Sequence, residues 1–275
     1  MMKKKLLLTV VALFTVYLCT WAQTGTCGEN LTWSIQDGTL TISGTGKMRN
    51  YTRPGSITIE APWYQYRDIV NNVDIQYGVT SIGEFAFYGC SNIKSVSIPS
   101  SVTEIFWYSF VGCSNLETVV IPDGVTDIQD YTFNGCSNLN LVTIPSSVTR
   151  IGYCAFSGCS KINSVIIPEN VEYINSHAFA NCTNLSSINI PQKVGYLTDC
   201  LFKGCTNLSS VVIPKSVTSI GTSTFGNCSK LSSITLPESL KEIGENAFDK
   251  CTALTSIVIP ESVTDIGKWA FYHSI

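Results

Sequence analysis

GCSNLETVVIPDGVTDIQ, Gly112 to Gln129, holds a cysteine, an apolar alternation and a proline in one short run. Moved 23 residues in either direction it nearly repeats itself. Valine or leucine opens each unit from Val79 to Val263, and phenylalanine recurs in step from Phe87 to Phe271. Proline does so from Pro99 to Pro260, with no insertion or deletion between units. The consensus is V-T-x-I-G-x-x-A-F-x-G-C-S-N-L-x-x-V-x-I-P-x-x. A fixed period of this length is the signature of a repeat architecture.

Within one unit, Leu116, Val119 and Ile121 follow an L-x-x-L-x-L spacing. The last two alternate as a strand with one buried face requires, and the proline that follows ends the pairing. Ile151, Ala155 and Cys159 fall at i, i+4 and i+8 with Phe156 beside them, a spacing that predicts a short helical turn buried on one side. Each unit thus places a parallel strand on one face and a turn of helix on the other. A unit this small cannot bury its apolar face alone, so neighbours stack into a solenoid with a continuous core. At a strand spacing of about 4.8 Å the array makes a rod roughly 40 Å long.

The cysteines Cys90, Cys113, Cys136, Cys159, Cys182, Cys205, Cys228 and Cys251 occupy the same inward position of successive coils. An even set in an exported chain ordinarily reads as a disulfide framework. Here adjacent members have parallel Cβ vectors about 4.8 Å apart, beyond the roughly 3.8 Å that a disulfide prefers. They are expected to form a ladder of unbridged, buried thiols.

The chain has 275 residues, 44% hydrophobic and 13% charged. Met1 to Lys5 is basic, Leu6 to Leu18 is apolar, and Thr20-Trp21-Ala22-Gln23 follows. Residues 1–22 read as a secretory signal peptide cleaved after Ala22, with an uncleaved anchor and lipidation at Cys19 as rival readings. Losing Lys3, Lys4 and Lys5 with the leader takes the formal charge from −3 to about −6. With no Lys/Arg stripe, nucleic acid is excluded as a partner. Residues 23–78 are expected to form an N-terminal β-rich capping module. Leu31 to Ser43 is its hairpin, Gly38 lies near the turn, and Trp33 and Trp63 fill its core. Residues 79–275 form the solenoid, with eight full repeats and a partial ninth.

The I-G-x-x-A-F-x-G-C-S-N-L-x-x-V-x-I-P core resembles the BspA-like bacterial leucine-rich repeat family over residues 79 to 275. The stretches CGENLTWSIQDGTLTISGTGKM (27–48) and APWYQYR (61–67) are similar to the module that often precedes such repeats. The resemblance implies a secreted or surface-attached protein, exported to the cell surface or outer envelope. It also implies adhesion to a protein ligand such as a host extracellular matrix protein or cell-surface glycoprotein. The repeat specifies the fold and not the ligand, because the matching residues are core positions.

Little in the sequence speaks for an enzyme or a cofactor. His177 and His273 are the histidines, and no G-x-S-x-G, H-E-x-x-H, phosphate loop or close CxxC pair occurs. Carboxylates such as Glu104, Asp127 and Asp130 read as a solvated outer face. Cys154, His177 and Cys200 fall in one file on successive coils, either as metal ligands or as a coincidence of variable residues. No metal is expected.

Two surfaces are candidates for binding. The strand face presents Thr118, Leu141, Ser164 and Ser187 in one file and Val120, Thr143, Ile166 and Asn189 in the next, either as a docking sheet or as hydroxyls that keep a flat sheet hydrated. The opposite flank carries Phe85, Trp107, Tyr108, Tyr131 and Tyr153, with Tyr173 and Tyr196 further along. These are either a contact patch or rings packed on one another. The ninth unit carries Ser274 where cysteine is due, and self-association at that C-terminal coil, as in a structural envelope protein, is the alternative to adhesion.

Overall fold

The computed structural model describes residues 23–55 and 59–274. The leader expected over residues 1–22 lies outside them. Strands β1 (Gln23–Thr26), β2 (Gly28–Gln36) and β3 (Thr39–Met48) form an antiparallel meander. Asp37 and Gly38 turn β2 into β3 with φ of 48° and 75°, as the favoured two-residue hairpin turn demands. Leu31, Trp33 and Ile35 point inward from β2, and Leu40 and Ile42 from β3.

β3 then seeds two parallel ladders. Thr39–Ile42 pairs with β4 (Asn72–Ile75), and Gly46 and Lys47 pair with β5 (Val79–Ile82). The first ladder continues from β4 through Ser95–Ser97, Thr118–Val120 and Leu141–Thr143, with partners 23 residues apart. The second follows β5 through Glu104–Ile105 and, further on, Asp127–Ile128 and Arg150–Ile151. A corner at the proline joins them: Pro122 O accepts from Val125 N at 3.0 Å, and the other coils repeat the bond. Asn72–Ile75 already stands in coil register with Ser95–Ser97, ahead of Val79.

The third side of each coil departs from the sequence expectation. Ile151, Ala155 and Cys159 are buried as the spacing requires, but the segment is a run of tight turns and not helix. The short 3₁₀ turn Tyr64–Tyr66 is the helix found among the described residues. Alternate amides leave the coil: Phe87 N donates to Ser109 O at 2.7 Å and Gly89 N to Val111 O at 2.7 Å, while Tyr88 N and Cys90 N bond within their own coil to Phe85 O and Phe87 O. A left-handed residue at two places per coil, such as Phe85 (φ 52°) and Gly89 (φ 67°), turns the chain to allow this. The third side is thereby a hydrogen-bonded ladder too, which a helix with all its bonds internal could not be.

Phenylalanines Phe87 to Phe248 are wholly buried, their rings stacked on neighbours 5.0 to 6.1 Å away. Trp63 continues this file into the N-terminal segment, stacked 5.7 Å from Phe87, with its indole N–H donating to Ala86 O at 2.7 Å. Trp33 meets it edge-on at 6.2 Å.

Candidate functional site

The cysteine file is unbridged throughout, and the described cysteines are all free. Its thiols do more than fill space. Cys113 Sγ donates to Phe87 O at 3.1 Å, and the bond recurs on each later coil to Cys251 Sγ and Phe225 O. Burial pushes Cys90, Cys182 and Cys251 up to about 12 and raises the others well above the ordinary thiol value too. Protonated and enclosed, these groups build the core and offer no nucleophile.

On the turn side, one register position reads Phe85, Tyr108, Tyr131, Cys154, His177 and Cys200, each with positive φ. The expected aromatic flank and the expected soft-ligand file are therefore one continuous column. Phe85 and Tyr108 stack at 4.7 Å and 5°, and Tyr108 and Tyr131 at 4.8 Å and 13°. Tyr153, one residue earlier in its coil, closes over Tyr131 edge-on at 5.3 Å and bridges to His177 at 5.3 Å. The rings pack on one another and are half-buried. Trp107 instead stands 46% exposed, its indole N–H bonded to Gln129 Oε1. Tyr173 and Tyr196, also exposed, belong to the outward position of the second strand ladder.

Partial burial, together with Cys154, Tyr153 and Tyr108 beside it, pushes the Tyr131 hydroxyl up to about 12. Burial raises Tyr153 and Cys154 as well, and lowers His177, which also faces Lys203. Near neutral pH the column is uncharged, so it recognises by apolar contact and neutral hydrogen bonds. Cys154, His177 and Cys200 share the file, but among the described residues no group of three or more His, Cys, Asp or Glu is placed to hold a metal. Asp127 and Asp130 are held by Arg150 at 3.6 and 3.2 Å, and Glu104 by Lys47 at 2.8 Å.

On the strand face Thr118, Leu141, Ser164 and Ser187 are exposed, as are Val120, Thr143, Ile166 and Asn189. Asn189 is less available than its exposure implies. Its amide accepts from Ile167 N at 2.8 Å and donates to Ile167 O at 2.7 Å. That bidentate use of a neighbouring coil's backbone could not be read from the repeat, since Asn189 looks there like any other variable position.

The family profile described as a BspA type leucine rich repeat region matches residues 57–186 and 149–275, in six copies. No curated protein matches the chain. Among solved structures, a leucine-rich repeat protein from Eubacterium ventriosum is 27% identical and covers 92% of this chain and 95% of that one, with a TM-score of 0.52. A leucine rich cell surface protein from Faecalibacterium prausnitzii is 28% identical, covering 91% and 86%, with a TM-score of 0.50. A leucine rich repeat protein of T. pallidum is 28% identical, covering 78% and 89%, with a TM-score of 0.57.

Proposed function

The chain belongs to the BspA-type leucine-rich repeat family, and from that premise we propose that it is an exported recognition module that adheres to a protein ligand through its aromatic flank. The observation that carries the reading is Trp107, half exposed beside the column of Phe85, Tyr108 and Tyr131. A large apolar ring on a rigid, pre-formed support loses little entropy on binding and makes a strong anchor. The likeness to a protein described as a cell surface protein supports export to the envelope. Host matrix proteins and cell-surface glycoproteins are the ligand class this reading favours. The molecule acts as a scaffold and not as an enzyme.

The test is binding to a panel of immobilised matrix proteins and mucin-type glycoproteins, with Trp107→Ala beside the parent. Tyr108 is a poor choice of variant because it supports two stacked neighbours. Saturable binding weakened at least tenfold by Trp107→Ala, at an unchanged melting temperature, is the expected result. Binding unaffected by that change moves the site off this flank.

A further inference from the structure

The outward position that ends each first-ladder strand, or directly follows it, alternates along the molecule, and the file runs on to Val258 in the last coil. Val120, Ile166, Val212 and Val258 are 64%, 82%, 78% and 85% exposed, and the coils between them carry Thr143, Asn189 and Thr235. An aliphatic side chain thus projects at every second coil, about 9.6 Å from the next. Between Ile166 and Val212 lies a depression whose lining includes Ile188 and Asn189. From Asn140 to Val258 none of the outward positions on this face is charged.

We propose that this face binds a second copy of the chain, with the two solenoids antiparallel. The occupant must present apolar groups at the same interval. A helix repeats its heptad at about 10.5 Å, and a strand repeats same-face residues at about 6.8 Å, so both lose step over four positions. A polyproline II segment keeps step, at about 9.3 Å per turn, but offers no depressions to receive the projecting groups. A copy of this chain keeps step by construction and supplies both ridge and hollow.

Antiparallel overlap of the whole array sets Ser97 opposite Val258, Val120 opposite Thr235, Thr143 opposite Val212, and Ile166 opposite Asn189. Each aliphatic group then meets a short polar position; Val120, Ile166 and Val212 enter between two aliphatic groups of the partner, and Val258, at the end of the strip, lies beside one, Val120. The contact is isologous, as a two-fold dimer requires. The parallel two-fold alternative would set like against like. The amide of Asn189 already bonds Ile167 through both its oxygen and its nitrogen, which lowers the cost of covering it. A chain of formal charge −3 also meets itself here without like charges in contact. The strip is only about 34 Å by 10 Å on each copy, smaller than a stable specific interface and of the size of a transient contact. Association is accordingly weak, with a dissociation constant in the micromolar range or above.

Sedimentation velocity of the protein from micromolar to near-millimolar concentration tests this. A reversible monomer–dimer equilibrium that tightens with added salt is expected, because the copies carry like net charge and repel, while Lys94 and Glu117 on this face lie opposite uncharged positions. Val120→Lys and Thr235→Glu should each weaken it at least tenfold. The combined variant should recover most of the loss, since the two positions face each other twice across the interface. Trp269→Ser, in the last coil, should leave it unchanged, which separates this contact from association at the chain end. A monomer at every concentration overturns the proposal, as do single variants without effect, a combined variant as weak as the singles, or loss of the dimer on Trp269→Ser. All three positions are exposed, so matched melting temperatures keep the comparison about association.

Discussion

A buried cysteine in this molecule is a small apolar residue with one useful donor. The phenylalanine carbonyl it meets already accepts from a backbone amide of its own coil, as Phe133 O does from Cys136 N at 3.2 Å, and Cys159 Sγ reaches the same oxygen at 3.2 Å. Ser274 stands where the next cysteine is due and makes the same bond to Phe248 O, which shows that the donor matters as well as the volume. These thiols also couple stability to pH. An unfolded thiol loses its proton near 9.0, whereas folded Cys90, Cys182 and Cys251 keep theirs to about 12. Stability is therefore full below pH 9 and lost as pH rises beyond it, because only the unfolded chain can release those protons. Each thiol costs up to about 1.4 kcal/mol per pH unit, so the urea midpoint should fall steeply between pH 9 and about 10. A midpoint flat across that range would show the thiols to be accessible. The left-handed positions give a second residue-scale prediction. The file that begins at Gly89 carries Lys250 at φ 59°, a conformation that is strained for a residue with a Cβ. Lys250→Gly should stabilise the protein by about 0.5–1 kcal/mol in urea melts, and Gly135→Ala, at φ 72°, should destabilise it by about 1 kcal/mol.

At the scale of elements, the buried ring file is the spine of the core. Phe156 lies between Phe133 and Phe179 at 5.5 and 5.4 Å, wholly enclosed. Phe156→Ala should cost about 3–5 kcal/mol by urea denaturation. Phe271→Ala, where the ring is only partly buried, should cost clearly less, and equal losses would mean that stacking does not set the scale. The turn side shows how a correct pattern can name the wrong element. Buried residues recur there every four positions, as they would on a helix. The same spacing arises from successive tight turns separated by left-handed residues, and pattern alone cannot distinguish the two. The outer column follows from that geometry: one position per coil shares a φ and a direction, so Phe85, Tyr108 and Tyr131 must stack. Tyr153 joins them from a neighbouring position, and nothing in its repeat number announces it.

Across the whole molecule, stability is the sum of coils and of the contacts between neighbours. Removing Val148 to Asn170, one full period, should leave a shorter solenoid that unfolds cooperatively with a smaller urea dependence. Removing half as many residues should not, since every inward side chain would lose its file. Circular dichroism and urea melts of the two deletions decide between these outcomes. The strand ladders are not uniform along this length. The first is interrupted between Leu141–Thr143 and Ser164–Val165 and again between Ser187–Ile188 and Ser210–Val212. At the second interruption Asn189 gives its side chain to Ile167. Among the described residues no helix is long and apolar enough to cross a membrane.

What the sequence alone determined is the solenoid, its period, the inward files and the unbridged state of the cysteines. Those follow from burial and spacing, and each is repeated often enough to be read without a partner in view. The tertiary structure decided which amides bond within a coil and which between coils. It decided that the thiols donate to backbone carbonyls, that the aromatic flank is mostly packed upon itself with Trp107 left standing out, and that Asn189 is engaged. These depend on where dihedrals turn and on which residues from different coils meet, and contacts between coils come into being only when the array is stacked.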